Sequence, residues 1–531
     1  MKNSISILVM LTLLLFISQF VYSNNIKIDS VSVEDQDVPG KFCFVEFDIS
    51  WENSWKTTGI PQNWDAAWII VKYNVAGSGW YHATLDPAGY VAPAGSVMDL
   101  TDDSTGVFIY RSTNGNGSNN WDNCRLRWDY GIDGVNDDAE LEVRVFAIEM
   151  VYVPATAYYL GDGGSKYRIH KGDDTTQAYY VTSEDAISQG TGPTQINGMG
   201  YFSGTNPIPA NYPKGFNDFY CMKYEISQEQ YVAFLNTLDR IQQNTRTLTD
   251  ISVTTITNDF VMCNSSEPCI RNGIACDFSL PETGPIEIYC DLNDNDTQNE
   301  SDDGQNIACN WLSWMDQAAY MDWAALRPIS EMEFEKACRG PNNPISQEFA
   351  WGTTNIHNSL YTIVNPGEEN ELFNDMGVST GNANTNYTYS QVPVRCGIFA
   401  ASATNNTRQE SGATYYGLME MSGNVTEFFV SSGNTAGRSF TGKQGDGTLD
   451  DAGDADVDYW PGINGNNNAT VANTEYLGTD GVTHSAGMGY GGGEFTTANL
   501  EPLMISDRQA SNIILSTRLP WAGGRGCRTA P

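Results

Sequence analysis

The densest chemistry in the chain lies in YGLMEMSGNVTEFF, residues 416–429, where Glu420 and Glu427 flank a Gly423-Asn424 bend. Glycine and asparagine tolerate left-handed backbone angles, so the chain can turn sharply there and aim carbonyl oxygens inward. Two carboxylates beside such carbonyls form a hard, all-oxygen cage of the kind calcium prefers. The plainer alternative is a tight turn with two solvated acids. A second stretch, DLNDNDTQNESDD, places Asp291, Asn293, Asn295, Asn299 and Asp302 at the first, third, fifth, ninth and twelfth positions of a calcium loop. Asp296 stands where an EF-hand requires glycine and no helical pattern flanks it, so the expectation is an irregular acidic loop, either calcium-holding or solvated. In residues 445–470, Asp446, Asp450, Asp451, Asp454, Asp456 and Asp458 could take a further ion or form a surface loop.

Soft-metal chemistry finds less support. Eleven cysteines contain no CxxC pair, and His82, His170, His357 and His484 are scattered, which argues against a zinc or blue-copper centre. The formal net charge is -37 although only 18% of residues are charged, so acids dominate. Nucleic acid and anionic membrane surfaces require a basic face and are excluded as partners. Divalent cations are the natural counter-ions. Residues 1–23 read as a secretory signal peptide: Lys2, then an apolar run, then small or polar residues before Asn24. No other run approaches the roughly 20 apolar residues of a membrane span. The expected location is secreted, extracellular or cell-surface, where most cysteines pair.

These groups need elements to position them. In residues 24–148, Cys43, Val45, Phe47, Ile49 and Trp51 alternate with polar positions, as do Cys124, Leu126 and Trp128, and later Leu141, Val143 and Val145. Period two means half-buried strands, and the expected architecture is a β-sandwich. Cys43 and Cys124 share the apolar phase and are expected to form a disulfide inside it. Trp51, Trp55, Trp64 and Trp68 could line a glycan-binding face, with core packing as the default. The strand containing Ile26, Ile28, Val31 and Val33 pairs within its own sheet by default, or is donated to a neighbour to build a fibre.

Residues 149–531 change to a helical period. Ser227 with Gln230, Ser313 with Asp316, and Ser330 with Glu333 are capping boxes, each followed by an apolar stripe. The fold class is therefore α+β: an all-β sandwich-like part, then a part of helices and irregular structure.

Four ordered segments of this second part carry a resemblance. MVYVPATAYYLGDG (150–163), FYCMKYEISQEQYVAFLN (219–236), WLSWMDQAAYMDWAALRPISEMEFEKACRG (311–340) and YGLMEMSGNVTEFF (416–429), with a closing Gly526-Cys527-Arg528, resemble the formylglycine-generating enzyme, or sulfatase-modifying factor, superfamily. The resemblance implies a C-type-lectin-like fold with insertions at about 239–310 and 430–485, the first carrying Cys263, Cys269, Cys276, Cys290 and Cys309 as a stapled excursion. It also implies a calcium site formed by the Glu420 and Glu427 side chains with the Gly423 and Val425 carbonyls. A second family calcium site would fall at Asn382 or Asn384. The family's aerobic enzymes oxidise a substrate cysteine with copper held by two thiolates; their positions here fall near Thr497 and Pro502, and no cysteine lies between Cys396 and Cys527. No copper is expected, and the leading reading is a non-catalytic, calcium-stabilised binding or structural surface protein. Its expected partners are further copies of itself or an extracellular protein or glycan ligand. The alternatives are an oxidase acting on a partner's cysteine, and an adhesin.

Overall fold

The computed structural model describes residues 25–198, 202, 206–386, 388, 391–405, 407–433, 435–461, 476–477, 483–484, 488–511 and 517–531. The expected signal segment 1–23 and residues 462–470 of the second acidic stretch lie outside the described residues. The fold is α+β and rich in strands. Nine strands come first: β1 (Lys27–Asp37), β2 (Phe42–Thr57), β3 (Asn63–Val75), β4 (Trp80–His82), β5 (Leu85–Val91), β6 (Ser96–Leu100), β7 (Val107–Arg111), β8 (Gly115–Trp128) and β9 (Leu141–Val153).

Burial explains their order. Along β2, Cys43, Val45, Phe47, Ile49 and Trp51 are buried and alternate with half-exposed residues, because one face is covered. β3 breaks the alternation: AAWIIV is buried throughout. Ala67, Ile69 and Val71 pack with Val45 and Phe47. Ala66, Trp68 and Ile70 face the other way and join a core with Leu235, Trp314 and Met321. A strand covered on both faces reads as a continuous apolar run, and β3 is central.

β9 pairs with β3 from Leu141 to Val151, and its far end, Met150–Val153, pairs with the strand Phe219–Met222. That strand pairs with Gly526–Thr529, which in turn pairs with Arg327–Pro328. Twelve strands thus form one sheet that runs through both parts of the chain, and the expected junction at 148/149 falls inside β9. β1 pairs antiparallel with β2, with register shifts after Asp29 and Glu34.

The disulfide expected between Cys43 and Cys124 is absent, and both are free, buried thiols. Register is the reason. Cys43 faces Trp128 and Cys124 faces Phe47, so four positions of β2, about 13 Å of strand, separate them. A disulfide needs Cα atoms within about 7 Å. Burial pushes both thiols up to about 12. Among the tryptophans, Trp51 and Trp68 are fully buried, and the Trp68 indole N–H donates to the Ala324 carbonyl at 2.8 Å.

All three expected helices form where their caps place them: Gln228–Leu235 (α1) after Ser227, Trp314–Trp323 (α3) after Ser313, and Glu331–Arg339 (α4) after Ser330. Each capping box is complete. Arg240–Arg246 (α2) was not expected, although Asp239 and Gln242 give it a box of the same kind. The first insertion is stapled by Cys263–Cys269, while Cys276, Cys290 and Cys309 are buried free thiols. Among the described residues no helix is long and apolar enough to cross a membrane.

Candidate metal and charge centre

The turn at 416–429 is wholly buried around its acids. Glu420 is 4% exposed and Glu427 1%. Glu420, Gly423 and Asn424 all have positive φ, of 54°, 99° and 68°. At Gly423 a Cβ would lie 2.7 Å from the Asn384 carbonyl oxygen, so only glycine lets the two chains approach. Asn424 is the hinge pin: its Oδ1 accepts from Val394 N–H at 2.9 Å and from the Asn384 amide at 3.1 Å, and its Nδ2 donates to Glu225 at 2.5 Å.

Glu225, from the segment just before α1, is the acid that sequence reading missed. It lies fully buried, and its other oxygen accepts from Val425 N–H at 3.0 Å. Arg525, which precedes the strand Gly526–Thr529, donates through Nε to Glu427 Oε1 at 2.6 Å and through its other nitrogens to the Met222 and Met419 carbonyls. Glu420 Oε1 accepts from Gly397 N–H at 3.1 Å. Three buried carboxylates therefore surround one directly bound arginine.

The electrostatics follow. Burial, then Glu427 and Glu420, raises Glu225 well above the carboxylate range. Burial pushes Glu420 up to about 7 against the pull of Gly397 N–H and Arg525. Burial also raises Glu427, with Arg525 opposing. For Arg525, burial works against the charge, but Glu427, Cys221 and Glu225 together outweigh it and hold the group above its ordinary value.

Glu420 Oε2 and Glu427 Oε2 are buried without a hydrogen-bond partner, as is Asn384 Oδ1. Unpaired buried carboxylate oxygens are costly, each on the order of 1–3 kcal/mol. The Gly423 and Val425 carbonyls accept no hydrogen bond among the described residues. The unspent donors are thus all oxygen and carry excess negative charge, which suits a calcium ion by chemistry.

The remaining sequence candidates separate. Asn382 is spent: its amide donates to the Gly377, Thr380 and Glu410 carbonyls and its oxygen accepts from Tyr361 and Gly377. Asn384 instead lies across the turn from Asn424. In the acidic loop, Asp291 is buried but its two oxygens accept from Asn295 and Asp296 N–H. Asn295 is exposed and turned to Glu300 and Thr297, Asn293 is exposed, and Asn299 accepts from Cys290 N–H. Asp302 is half-buried, and its neighbour Asp303, fully buried, is pushed up to about 7 by burial and then by surrounding acids.

Among the described residues, three acidic side chains bring ligand atoms within 4.8 Å of one another only at Asp322, Asp446 and Asp456. There Asp322, on α3, accepts from Asp446 and Asp456 N–H at 3.0 and 3.1 Å, so both its oxygens are used. Lys72, lowered to about 7 by burial against the pull of Asp322 and Asp446, closes this corner with bonds to the Trp323 and Gly447 carbonyls.

Thr497 and Pro502, near which the resemblance puts the thiolate pair, lie beyond the insertion that holds the second acidic stretch. Thr497 is buried, its hydroxyl accepts from Glu494 N–H at 2.9 Å, and its own N–H donates to the Glu494 carbonyl, a self-capped turn. Pro502 lies in the short 3₁₀ helix Glu501–Leu503.

No curated protein matches the chain. The family described as Sulfatase-modifying factor enzyme 1-like domain matches residues 176–466, more than half of the length, a stretch that holds α1, α3, α4 and the 416–429 turn. The chain belongs to the Sulfatase-modifying factor enzyme 1-like domain family.

Proposed function

We propose that this chain is an exported, non-catalytic member of its family: a calcium-stabilised scaffold that binds or assembles outside the cell. The observation that carries this is the segment near which the resemblance puts the thiolates, where Thr497 and Glu494 close a turn on each other and no cysteine lies between Cys396 and Cys527. Copper(I) chemistry on a substrate cysteine needs soft thiolate ligands, and the free thiols Cys338, Cys396 and Cys527 are buried, with burial raising each well above the thiol range. The retained turn, with unpaired oxygens on Glu420 and Glu427, serves stability instead of turnover. Oxygen uptake by the copper-loaded protein with a cysteine-containing peptide tests this. No uptake above the protein-free control is expected, and copper-dependent turnover overturns the proposal in favour of an oxidase.

Assembly through the N-terminal strands, read as a sandwich, is the second reading, motivated by β1. One edge of β1 is paired to β2, and its other edge pairs with no described strand. Two bulges and the exposed Glu34 and Asp35 twist and charge that edge, features that discourage indiscriminate pairing, so assembly by this route requires a matched partner edge. Electron microscopy of the exported protein with calcium decides it: filaments support assembly, and monodisperse particles at high concentration leave ligand binding as the role.

A further inference from the structure

Arg395 is 6% exposed, and its guanidinium Nε and Nη1 are buried with no hydrogen-bond partner. No carboxylate among the described residues pairs with it. The carboxylate that meets the Arg395 backbone is already committed: Glu371, fully buried, pairs with Arg271 and accepts from the backbone N–H groups of Arg395 at 3.1 Å and Gly367 at 2.7 Å. Glu371 therefore fixes where Arg395 sits without neutralising its side chain. Glu420 and Glu149 feel the charge of Arg395 from a distance, each drawn down by it, without an ion pair. A guanidinium does not shed its proton, and burying one unpaired is expensive. Such a group in a native fold points to a missing partner.

The side chain lines a cleft of about 380 Å³, formed where Asn25, just ahead of β1, meets Ser301 and the segments 368–372 and 395–401 of the family domain. Glu368 and Glu369 line the same cleft, with Asn25, Ser301 and Asn370 as neutral polar groups. Neither Glu368 nor Glu369 makes a side-chain hydrogen bond or ion pair among the described residues. One buried positive group and two acids thus share one cleft without closing on each other, which leaves room for a molecule between them. A simple anion suited to Arg395 meets the two acids, and a simple cation suited to the acids meets Arg395. A molecule carrying both charges satisfies both ends.

We propose that this cleft binds a small zwitterion, of amino-acid or dipeptide size, with its carboxylate on Arg395 and its ammonium toward Glu368 and Glu369. The volume lies at the small end of ligand pockets, roughly 300–1,000 Å³, and the neutral groups can receive the polar atoms between the two charges. Such a site gives an export-routed scaffold a ligand class, independent of any ion at the 416–429 turn.

Titration calorimetry of the full chain with diglycine, acetate and methylammonium tests it. Diglycine is expected to bind saturably, with acetate and methylammonium each about tenfold weaker or more, the loss of one charged contact. Arg395→Gln is expected to weaken diglycine by about tenfold or more while the ligand-free melting temperature does not fall. Should that variant fail to fold, the more exposed pair Glu368→Gln with Glu369→Gln decides: diglycine binding falls and acetate binding does not. Absence of saturable diglycine binding, acetate binding as tight as diglycine, or indifference of diglycine to the Glu368 and Glu369 changes would each overturn the proposal.

Discussion

At the scale of single residues, the turn's acids and a buried lysine make opposite statements about charge. Glu420 and Glu427 each keep a buried oxygen without a partner, so an ion that binds the folded state alone should stabilise it by mass action. We expect EGTA to lower the melting temperature and added calcium to restore it, with Glu427→Gln removing the calcium response. A melting temperature indifferent to both would leave these acids as a charge network satisfied by Arg525. Lys336 on α4 is wholly buried, its Nζ donates to the Thr156 carbonyl at 2.6 Å, and burial lowers it from 10.5 to about 7. Because the folded value lies below the unfolded one, its contribution is intact only above about pH 10.5 and is lost as pH falls through about 7. Lys336→Met should therefore raise the urea midpoint more at pH 6 than at pH 10. An equal gain at both would show that the amine titrates alike in folded and unfolded chains. Glu420 and Glu427 were legible because they sit seven residues apart in one turn. Glu225, Arg395 and Arg525 were not, since the first and last reach the turn from about 200 and 100 residues away and nothing local in sequence marks that approach.

Elements were legible where their determinants are local. A serine and the acid or amide three residues on announce α1, α3 and α4, and the structure completes each box with reciprocal bonds. Ser330 has an additional duty, donating to the Pro213 carbonyl at 2.8 Å. Ser330→Ala is expected to cost about 1 kcal/mol or somewhat more, measured as a shift in denaturant midpoint at unchanged slope. A neutral result would mean that tertiary contacts alone hold the start of α4. α2 has a box of the same kind in Asp239 and Gln242, but the RIQQNTR that follows lacks an apolar stripe. Strand pairing was less legible. Cys43 and Cys124 share a phase, and phase alone says which face a residue occupies without saying how far along the strand its partner lies.

At the scale of the molecule, length and periodicity suggested two consecutive parts, and the twelve-stranded sheet joins them through β9. β3 packs its second face against the helices of the family domain, and Trp68 and Lys72 donate to carbonyls of residues 323, 324 and 447. A fragment of residues 25–148 would expose that face and leave β9 cut short, so it should be aggregation-prone or molten, whereas the full chain should unfold in one cooperative transition by calorimetry. A soluble fragment with a sharp transition of its own would show that the β-rich part is self-sufficient.

The sheet also imposes an order of events. Gly526–Thr529 inserts between Phe219–Met222 and Arg327–Pro328, which precede it by some 200 to 300 residues. A ribosome delivers those two strands long before the one that joins them, so the sheet of the family domain stays open until synthesis has reached residue 529. A nascent chain kept open in this way can still be drawn out as an extended chain for most of its production, and locks only once its closing strand is made.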